Sequence, residues 1–349
     1  MSRVSACWFA LLLTVHGQVE SDLAPRTVEG EGAGALPFES RTAPAPREGK
    51  DHSKVLAREL REIRLVGNNH QAPPILYGLT PLDTVEISGL RVPDQEELAV
   101  LCGAVLGGPL TEDGLDDLTD SILGHYQARG RPVVDILVPE QDLSKGSLTI
   151  TIVEGRVGKV VLQHSEHFDT ELLATGVHLN PGDELTTPAL QEELDWLSRN
   201  PFRSADLYAS PGAGPGEADL LFTLEEQRPW RVYLGYENSG TEAAGENRFY
   251  VGGNMGNAFG LDHQLGYQFT MGESFDQFQG HSVAYEIPLH QQHYFLRFNA
   301  TWQTVEAVTI ESGLPLVADG ETWELYAAVG RPLPRVNGFN QEVAIGVEM

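Results

Sequence analysis

Trp230-Arg231-Val232-Tyr233-Leu234-Gly235-Tyr236-Glu237 places Trp230, Val232, Leu234 and Tyr236 on one side of an extended chain and Arg231, Gly235 and Glu237 on the other. Successive side chains of a strand point to opposite faces, so this period of two predicts a strand with one greasy and one wet face. The alternation returns downstream. Phe249, Val251 and Met255 oppose Arg248, Gly252 and Asn254, and Leu261, Leu265, Tyr267, Phe269 and Met271 oppose Asp262, Gln264, Gly266, Gln268 and Thr270. Val283, Tyr285, Ile287 and Leu289 oppose Ser282 and Glu286, and Tyr294, Leu296, Phe298 and Trp302 oppose Arg297, Asn299 and Thr301. Trp323, Leu325, Ala327 and Val329 oppose Glu324, and a last strand is expected over 342–348. Consecutive strands of about ten residues with aromatics near their ends suit an antiparallel transmembrane β-barrel, lipid outside and water within. The rival is a soluble antiparallel sandwich, whose strands are shorter and whose polar face is outermost. Strand length and aromatic placement favour the barrel over 228–349.

Upstream, 81–155 reads strand, helix, helix, strand, strand. The strand at 84–89 is followed by helices at 94–102 and 111–130, the second carrying Leu115, Leu118, Ile122, Leu123 and Tyr126 at helical spacing and stopped by Gly130. Strands at 133–138 and 147–153 close the unit. The same order recurs over 156–227: a strand at 158–164, helices at 169–175 and 187–199, and strands at 203–209 and 218–225. Thr187 is the expected cap of the second helix, with Pro188 at its first position and Leu190, Leu194 and Leu197 as its buried stripe. Each copy reads as a small α+β domain with helices on one sheet face.

Residues 1–18 read as a secretory signal: Arg3, an apolar run over 6–15, then compact residues at Val15-His16-Gly17. The run is roughly half the length of a spanning helix, and no later stretch reaches that length, so any membrane crossing must use strands. Residues 19–80 read as a disordered linker rich in Gly, Pro, Ala and Glu, with a short helix at 52–65. A formal net charge of −27 argues against a nucleic-acid partner. Of two cysteines, Cys7 lies in the signal and Cys102 reads as a core residue, so neither a disulfide framework nor a four-ligand metal site is available.

Two stretches resemble a known family. Pro139-Glu140-Gln141-Asp142-Leu143, Gly146, and then Glu154-Gly155-Arg156-Val157 is similar to the signature of the haemolysin-activator (ShlB/FhaC/HecB-like) family, the outer-membrane transporters of two-partner secretion. Tyr236-Glu237-Asn238-Ser239-Gly240, Arg248, Gly253-Asn254 and the run Asn257-Ala258-Phe259-Gly260-Leu261-Asp262 resembles that family's opening barrel hairpin. The resemblance implies two periplasmic polypeptide-transport-associated (POTRA) domains before a barrel in the bacterial outer membrane, and export of a secreted polypeptide. It implies no cofactor, small-molecule substrate or enzymatic activity. Gln141, Asp142, Glu154 and Arg156 are expected to shape turns and the domain junction. Two departures stand out. Arg131-Pro132 follows Gly130 where the family has an aromatic, and the chain reaches Met349 without the family's inward-folded Arg-Gly-aromatic loop or a full set of barrel strands, as a fragment or truncated reading frame would.

An exposed sheet edge accepts an extended polypeptide through main-chain hydrogen bonds, with little demand on its side chains. The edge expected to do so here is Val133, Asp135, Ile136 and Val138, beside a groove of Leu115, Leu118, Ile122 and Tyr126. Assembly of outer-membrane proteins and passive conduction are the alternative roles. His164-Ser165-Glu166-His167 and His290-Gln291-Gln292-His293 carry paired histidines, but at strand ends without further ligands, and are set aside as metal sites. No serine or cysteine has the surroundings of a nucleophile.

Overall fold

A computed structural model describes residues 10–14, 26, 54–68, 73–242, 244–311, 314–336 and 339–349. Of the expected signal, only β1 (Ala10–Thr14) is described, as a strand antiparallel to the last strand of the chain. The disordered stretch expected over 20–50 lies outside the described residues except for Arg26.

The first α+β unit begins earlier than expected. In place of a helix at 52–65 it has β2 (Val55–Ala57) and β3 (Glu62–Gly67), followed by β4 (Ile75–Gly78), so much of the supposed linker is folded. The physical reason is a period of two: Ile63 and Leu65 are fully buried while Arg64 between them faces water. Then come β5 (Thr84–Ser88), α1 (Gln95–Gly103), β6 (Leu110–Thr111), α2 (Glu112–Ala128), β7 (Val134–Leu137) and β8 (Ser147–Glu154). The five-stranded sheet has the order β4-β5-β3-β8-β7, with β3 at its centre and parallel to both neighbours. β3 enters so closely that a Cβ on Gly67 would lie 2.2 Å from the Gly89 carbonyl oxygen. Thr111 caps α2 by accepting from Gly114 N, and Gly130 ends it at φ +70. Cys102 is fully buried, and burial pushes its thiol up to about 12, so it is an inert core residue.

The second unit comprises β9 (Arg156–Leu162), α3 (Thr170–Ala174), α4 (Thr187–Leu197), β10 (Arg203–Pro211) and β11 (Glu217–Glu226). Its three-stranded sheet runs β10-β11-β9, with β9 parallel to β11. The cap of α4 is Thr186, not Thr187: of the two threonines, Thr186 keeps an extended backbone and accepts from Ala189 N. Leu190, Leu194 and Leu197 pack into the core with Val157, Leu173 and Phe222, as expected.

From Trp230 onward seven strands follow as a meander: β12 (Trp230–Glu237), β13 (Arg248–Ala258), β14 (His263–Met271), β15 (Phe278–Leu289), β16 (Tyr294–Glu311), β17 (Leu314–Val336) and β18 (Phe339–Glu348). With β1 they form an eight-stranded antiparallel sheet that is open, with β12 at one edge. The two faces differ as the alternation requires. Trp230, Val232, Leu234 and Tyr236 are all more than half exposed, whereas Gln268, Thr270 and Ser282 on the opposite face are buried. Leu234, Val251, Phe269, His281, Trp302 and Trp323 stand opposite one another across six strands, forming a continuous apolar and aromatic row on the outer face.

Candidate polypeptide-binding edge and domain joints

Among the described residues β7 is the edge of the first sheet, paired only with β8. Asp135, Leu137 and Val138 are exposed, while Val134 and Ile136 lean on the core. Two of the expected positions change character. Val133 belongs to the junction with the second unit: its carbonyl accepts from Gly155 N at 2.9 Å, and its side chain packs against the second core. Leu118, Ile122 and Tyr126 are buried in the first core, and Leu115 packs against it half-buried, so α2 presents no open apolar groove. The helix turns its greasy stripe toward its own sheet, because a unit this small has no other way to cover it.

The signature residues build turns. Gln141 runs its side-chain amide along β8 just past the end of β7, accepting from Thr149 N and donating to Thr149 O, both at 2.7 Å; its amide also donates to the Pro139 carbonyl at 3.1 Å. The Asp142 carboxylate accepts from Ser144 N at 2.9 Å, which holds it below its ordinary range, and Leu143 packs on the first core. Gly146 sits at φ +74, and its carbonyl accepts from Arg61 N and Glu62 N at 2.8 and 3.0 Å; a Cβ there would lie 2.5 Å from the Glu59 carbonyl oxygen. The turn therefore clasps the entry to β3.

Glu154, Gly155 and Arg156 form the first joint. The buried Glu154 carboxylate accepts from Arg91 N and Val92 N at 2.8 and 3.0 Å and from Tyr126 Oη at 3.4 Å. Gly155 has no room for a side chain, since a Cβ would lie 2.5 Å from the Val133 carbonyl oxygen. The Arg156 guanidinium donates to Gly182 O at 2.6 Å. Arg91 and Arg131 of the first unit both hold Glu184 of the second, at 3.0 and 2.7 Å, and these two guanidiniums keep its carboxyl below its usual range.

The second joint binds the second unit to the large sheet. Asp262 adopts φ +60 in the turn between β13 and β14, which Gly260 helps to form at φ +73. Its buried carboxylate takes both arms of Arg203, with Nη2 to Oδ2 at 2.8 Å, and accepts from Asn200 Nδ2 at 2.7 Å. Burial works to raise this carboxyl, but the Arg203 guanidinium overrides it and holds the group below its ordinary value. Asn257 accepts from Asp262 N at 2.9 Å and donates to His167 O at 2.7 Å.

The histidine pair at 290 and 293 belongs to this joint. Trp196 Nε1 donates to His290 Nδ1 at 3.2 Å, and His290 Nε2 lies 3.3 Å from Asp262 Oδ2. His293 donates from Nε2 to Gly176 O at 2.7 Å and is stacked between Trp196 and His178. Among the described residues no group of three or more His, Cys, Asp or Glu could hold a metal ion. Next to His293, burial pushes the Glu193 carboxyl up to about 7. On the inward face of the sheet, Arg26 donates to Glu237 at 2.6 Å and from its backbone N to Tyr233 Oη at 2.9 Å, and Arg231 donates to Arg26 O at 2.8 Å.

Sequence reasoning missed the second face of α4. Glu192, Asp195, Trp196 and Arg199 recur at helical spacing and meet the sheet: Asp195 pairs with Arg335 at 2.7 Å, Glu192 with Arg331 at 3.5 Å, and Arg199 with Glu286 at 2.9 Å. The buried Trp196 in an otherwise charged stripe was the available signal.

The sequence matches two family models: POTRA domain, ShlB-type, over residues 80–155, and haemolysin secretion/activation protein ShlB/FhaC/HecB over residues 216–348. It is 28% identical over 232 residues to the outer membrane transporter CdiB-2 of Burkholderia pseudomallei (strain 1026b), covering 59% of this chain and 37% of that protein. It is 20% identical over 251 residues to the heme/hemopexin transporter protein HuxB of Haemophilus influenzae, covering 71% of this chain and 41% of that one. The structure of CdiB from Escherichia coli superposes with a TM-score of 0.64 at 18% identity, covering 89% of this chain and 54% of that one. CdiB from Acinetobacter baumannii gives 0.56 at 19% identity, covering 92% and 58%. At these identities the two structures speak for the fold, and the chain spans less than half the length of the curated relatives it matches.

Proposed function

Because the chain belongs to the ShlB/FhaC/HecB haemolysin secretion/activation family, outer-membrane transporters with periplasmic POTRA domains rather than enzymes, we propose that it captures a secreted polypeptide in the periplasm and passes it to a transmembrane β-barrel for export. In this reading the two α+β units are the POTRA domains, and β12 to β18 are barrel strands with their apolar face in lipid. The observation that carries it is the row from Leu234 to Trp323, exposed at Leu234, Val251 and Trp323 and half-exposed at Phe269, His281 and Trp302, beside an opposite face on which Gln268, Thr270 and Ser282 are buried. A soluble sheet would cover such a row, whereas a lipid-facing one requires it.

Capture is assigned to the β7 edge. An incoming strand would pair with the main chain beside Asp135 and Leu137, needing no ATP and little side-chain specificity. The partner is a secreted exoprotein carrying an extended segment. Leu137 is about half exposed, so Leu137→Lys leaves the core untouched while placing on the edge the residue that native edges use to repel added strands. The expected result is at least a tenfold loss of affinity for the exoprotein in a binding titration, with an unchanged circular dichroism spectrum. Undiminished binding by the folded variant would remove β7 as the capture edge.

A further inference from the structure

Residues 257–262, around the turn between β13 and β14, are gripped at both ends and bare in the middle. Asn257 donates to His167 O at 2.7 Å and accepts from Asp262 N at 2.9 Å, while Asp262 takes Arg203 of the second unit. Between these anchors Phe259 is 79% exposed and Leu261 48% exposed, and a Cβ on Gly260 would meet nothing within 4 Å. Phe259 also holds a left-handed backbone, φ +62, ahead of Gly260 at φ +73. Glycine or asparagine takes that conformation with less strain than a bulky side chain does. The turn would form more readily without the phenyl, so the ring serves something outside the fold of the turn.

The level of the turn in the sheet identifies what the ring meets. Trp230, Met255, Leu265, Tyr285 and Phe298 stand opposite one another across β12 to β16, a row on the outer face. The turns at 258–262 and 290–293 both lie just beyond this row, at one end of the sheet. Trp302, paired with Trp323, lies further along β16 toward the other end, and both indoles donate to Glu321 Oε1, at 2.9 and 3.0 Å. From Trp302 back to Tyr294 the strand runs about 27 Å at about 3.4 Å per residue, or about 20 Å along a barrel axis at a tilt of about 40°. An apolar band of about 25 Å with the two indoles at one border therefore reaches the turns at the other, and aromatic side chains gather at such borders.

We propose that the β13–β14 turn is a lipid-contact element, with Phe259 and Leu261 seated in the headgroup boundary of the phospholipid leaflet on the second unit's side. This contact rests on the lipid-facing reading of the strands given above and extends it past their ends. The same short stretch holds lipid through Phe259 and Leu261 and the second unit through Asn257 and Asp262, which keeps that unit close beneath the membrane. A passing polypeptide is the other apolar surface within reach. Continuity with Trp230 and Met255, both exposed on the outer face, favours lipid.

The test uses the full chain, with Cys7→Ser and Cys102→Ala, in vesicles of phosphatidylethanolamine and phosphatidylglycerol. A fluorophore that nitroxides quench is attached at Leu261→Cys, leaving Phe259 in place, and in separate samples at Leu234→Cys on the outer face and at Tyr208→Cys on the exposed face of the second unit. Lipids with a nitroxide on the headgroup are expected to quench the label at 261 at least threefold more than the label at 208. Lipids with a nitroxide on the acyl chain should quench the label at 234 most strongly. Phe259→Asn, which accepts a left-handed backbone but lacks the ring, should cut headgroup quenching at 261 by at least half, and Phe259→Trp should preserve it. Should Phe259→Asn fail to fold by circular dichroism, Phe259→Gly takes its place with the same criterion. An unquenched label at 261 beside a quenched one at 234 overturns the lipid contact, keeps the strands in the bilayer and gives the ring to a polypeptide. Equal quenching at 261 with and without the ring removes Phe259 from the contact. If neither lipid quenches the label at 234, the reading of the strands falls and the contact of the turn falls with it.

Discussion

The two α+β units share a chain order and differ in what surrounds it. In the first, β3 is inserted between β5 and β8, so its sheet has five strands, an apolar core of its own and an edge at β7 that stays open. In the second, β9 lies directly against β11, the sheet has three strands, and α4 turns a charged and aromatic face onto the large sheet. A small domain with few strands has little surface to bury internally. The second domain gains contact by docking, the first by recruiting a strand from the segment before it. The first unit therefore keeps β7 as a sheet edge among the described residues, and the second is committed to holding the joint.

The largest effect is expected from Asp262→Ala, which leaves Arg203 buried without its anion and should cost about 3–5 kcal/mol. Thermal unfolding of the full chain should show the second domain and the joint melting at lower temperature while the first domain keeps its transition; loss of the first domain's transition instead would refute the division of labour. Ile63→Ala removes a fully buried side chain from β3 and should destabilise the first domain by about 2–4 kcal/mol, leaving the joint intact. An unaffected first domain would mean that β3 is not part of its core.

A smaller effect separates the domains by pH. Glu193 is pushed up to about 7 from 4.5, chiefly by burial. Its contribution is thus fully present below pH 4.5 and lost as pH rises through about 7, on the order of 3 kcal/mol. Burial lowers the neighbouring His293 from 6.5, which gives the opposite limb: stability held above pH 6.5 and lost on acidification. Glu192, His178 and Arg331 complete the surroundings of this pair. Glu193→Gln should abolish the alkaline loss and leave the acid limb, as read from the second domain's melting temperature between pH 5 and 8. An alkaline loss that survives in the variant would place its origin elsewhere.

Much of this was legible in the sequence because it is local. The alternation after Trp230, the start of α2 near Thr111, its stop at Gly130 and the leucine stripe of α4 depend on neighbours within a few residues, and the structure has them. Apart from the α4 cap, which shifts by one residue to Thr186, the failures involve distant partners. The short alternation of Glu62 to Gly67 resembles part of a helix until β5 and β8 are known to flank it. Glu192 and Asp195 of α4 and Arg199 just beyond it look like a solvated face because their partners lie about 90 to 140 residues away. The motif residues Asn257, Gly260 and Asp262 could be singled out, but only the fold shows that Asp262 grips Asn200 and Arg203 and that Asn257 holds the His167 carbonyl.

Export through a barrel built on these strands requires that the outer face of the sheet meet lipid. Nitroxides placed one at a time from Trp230 to Glu237, with the protein in a bilayer, report accessibility to oxygen, which concentrates in lipid, and to a water-soluble nickel chelate. Oxygen maxima are expected at Trp230, Val232, Leu234 and Tyr236, alternating with low values at Arg231, Tyr233, Gly235 and Glu237. Greater exposure of those four apolar positions to the nickel chelate than to oxygen, or shielding from both reagents, would contradict it.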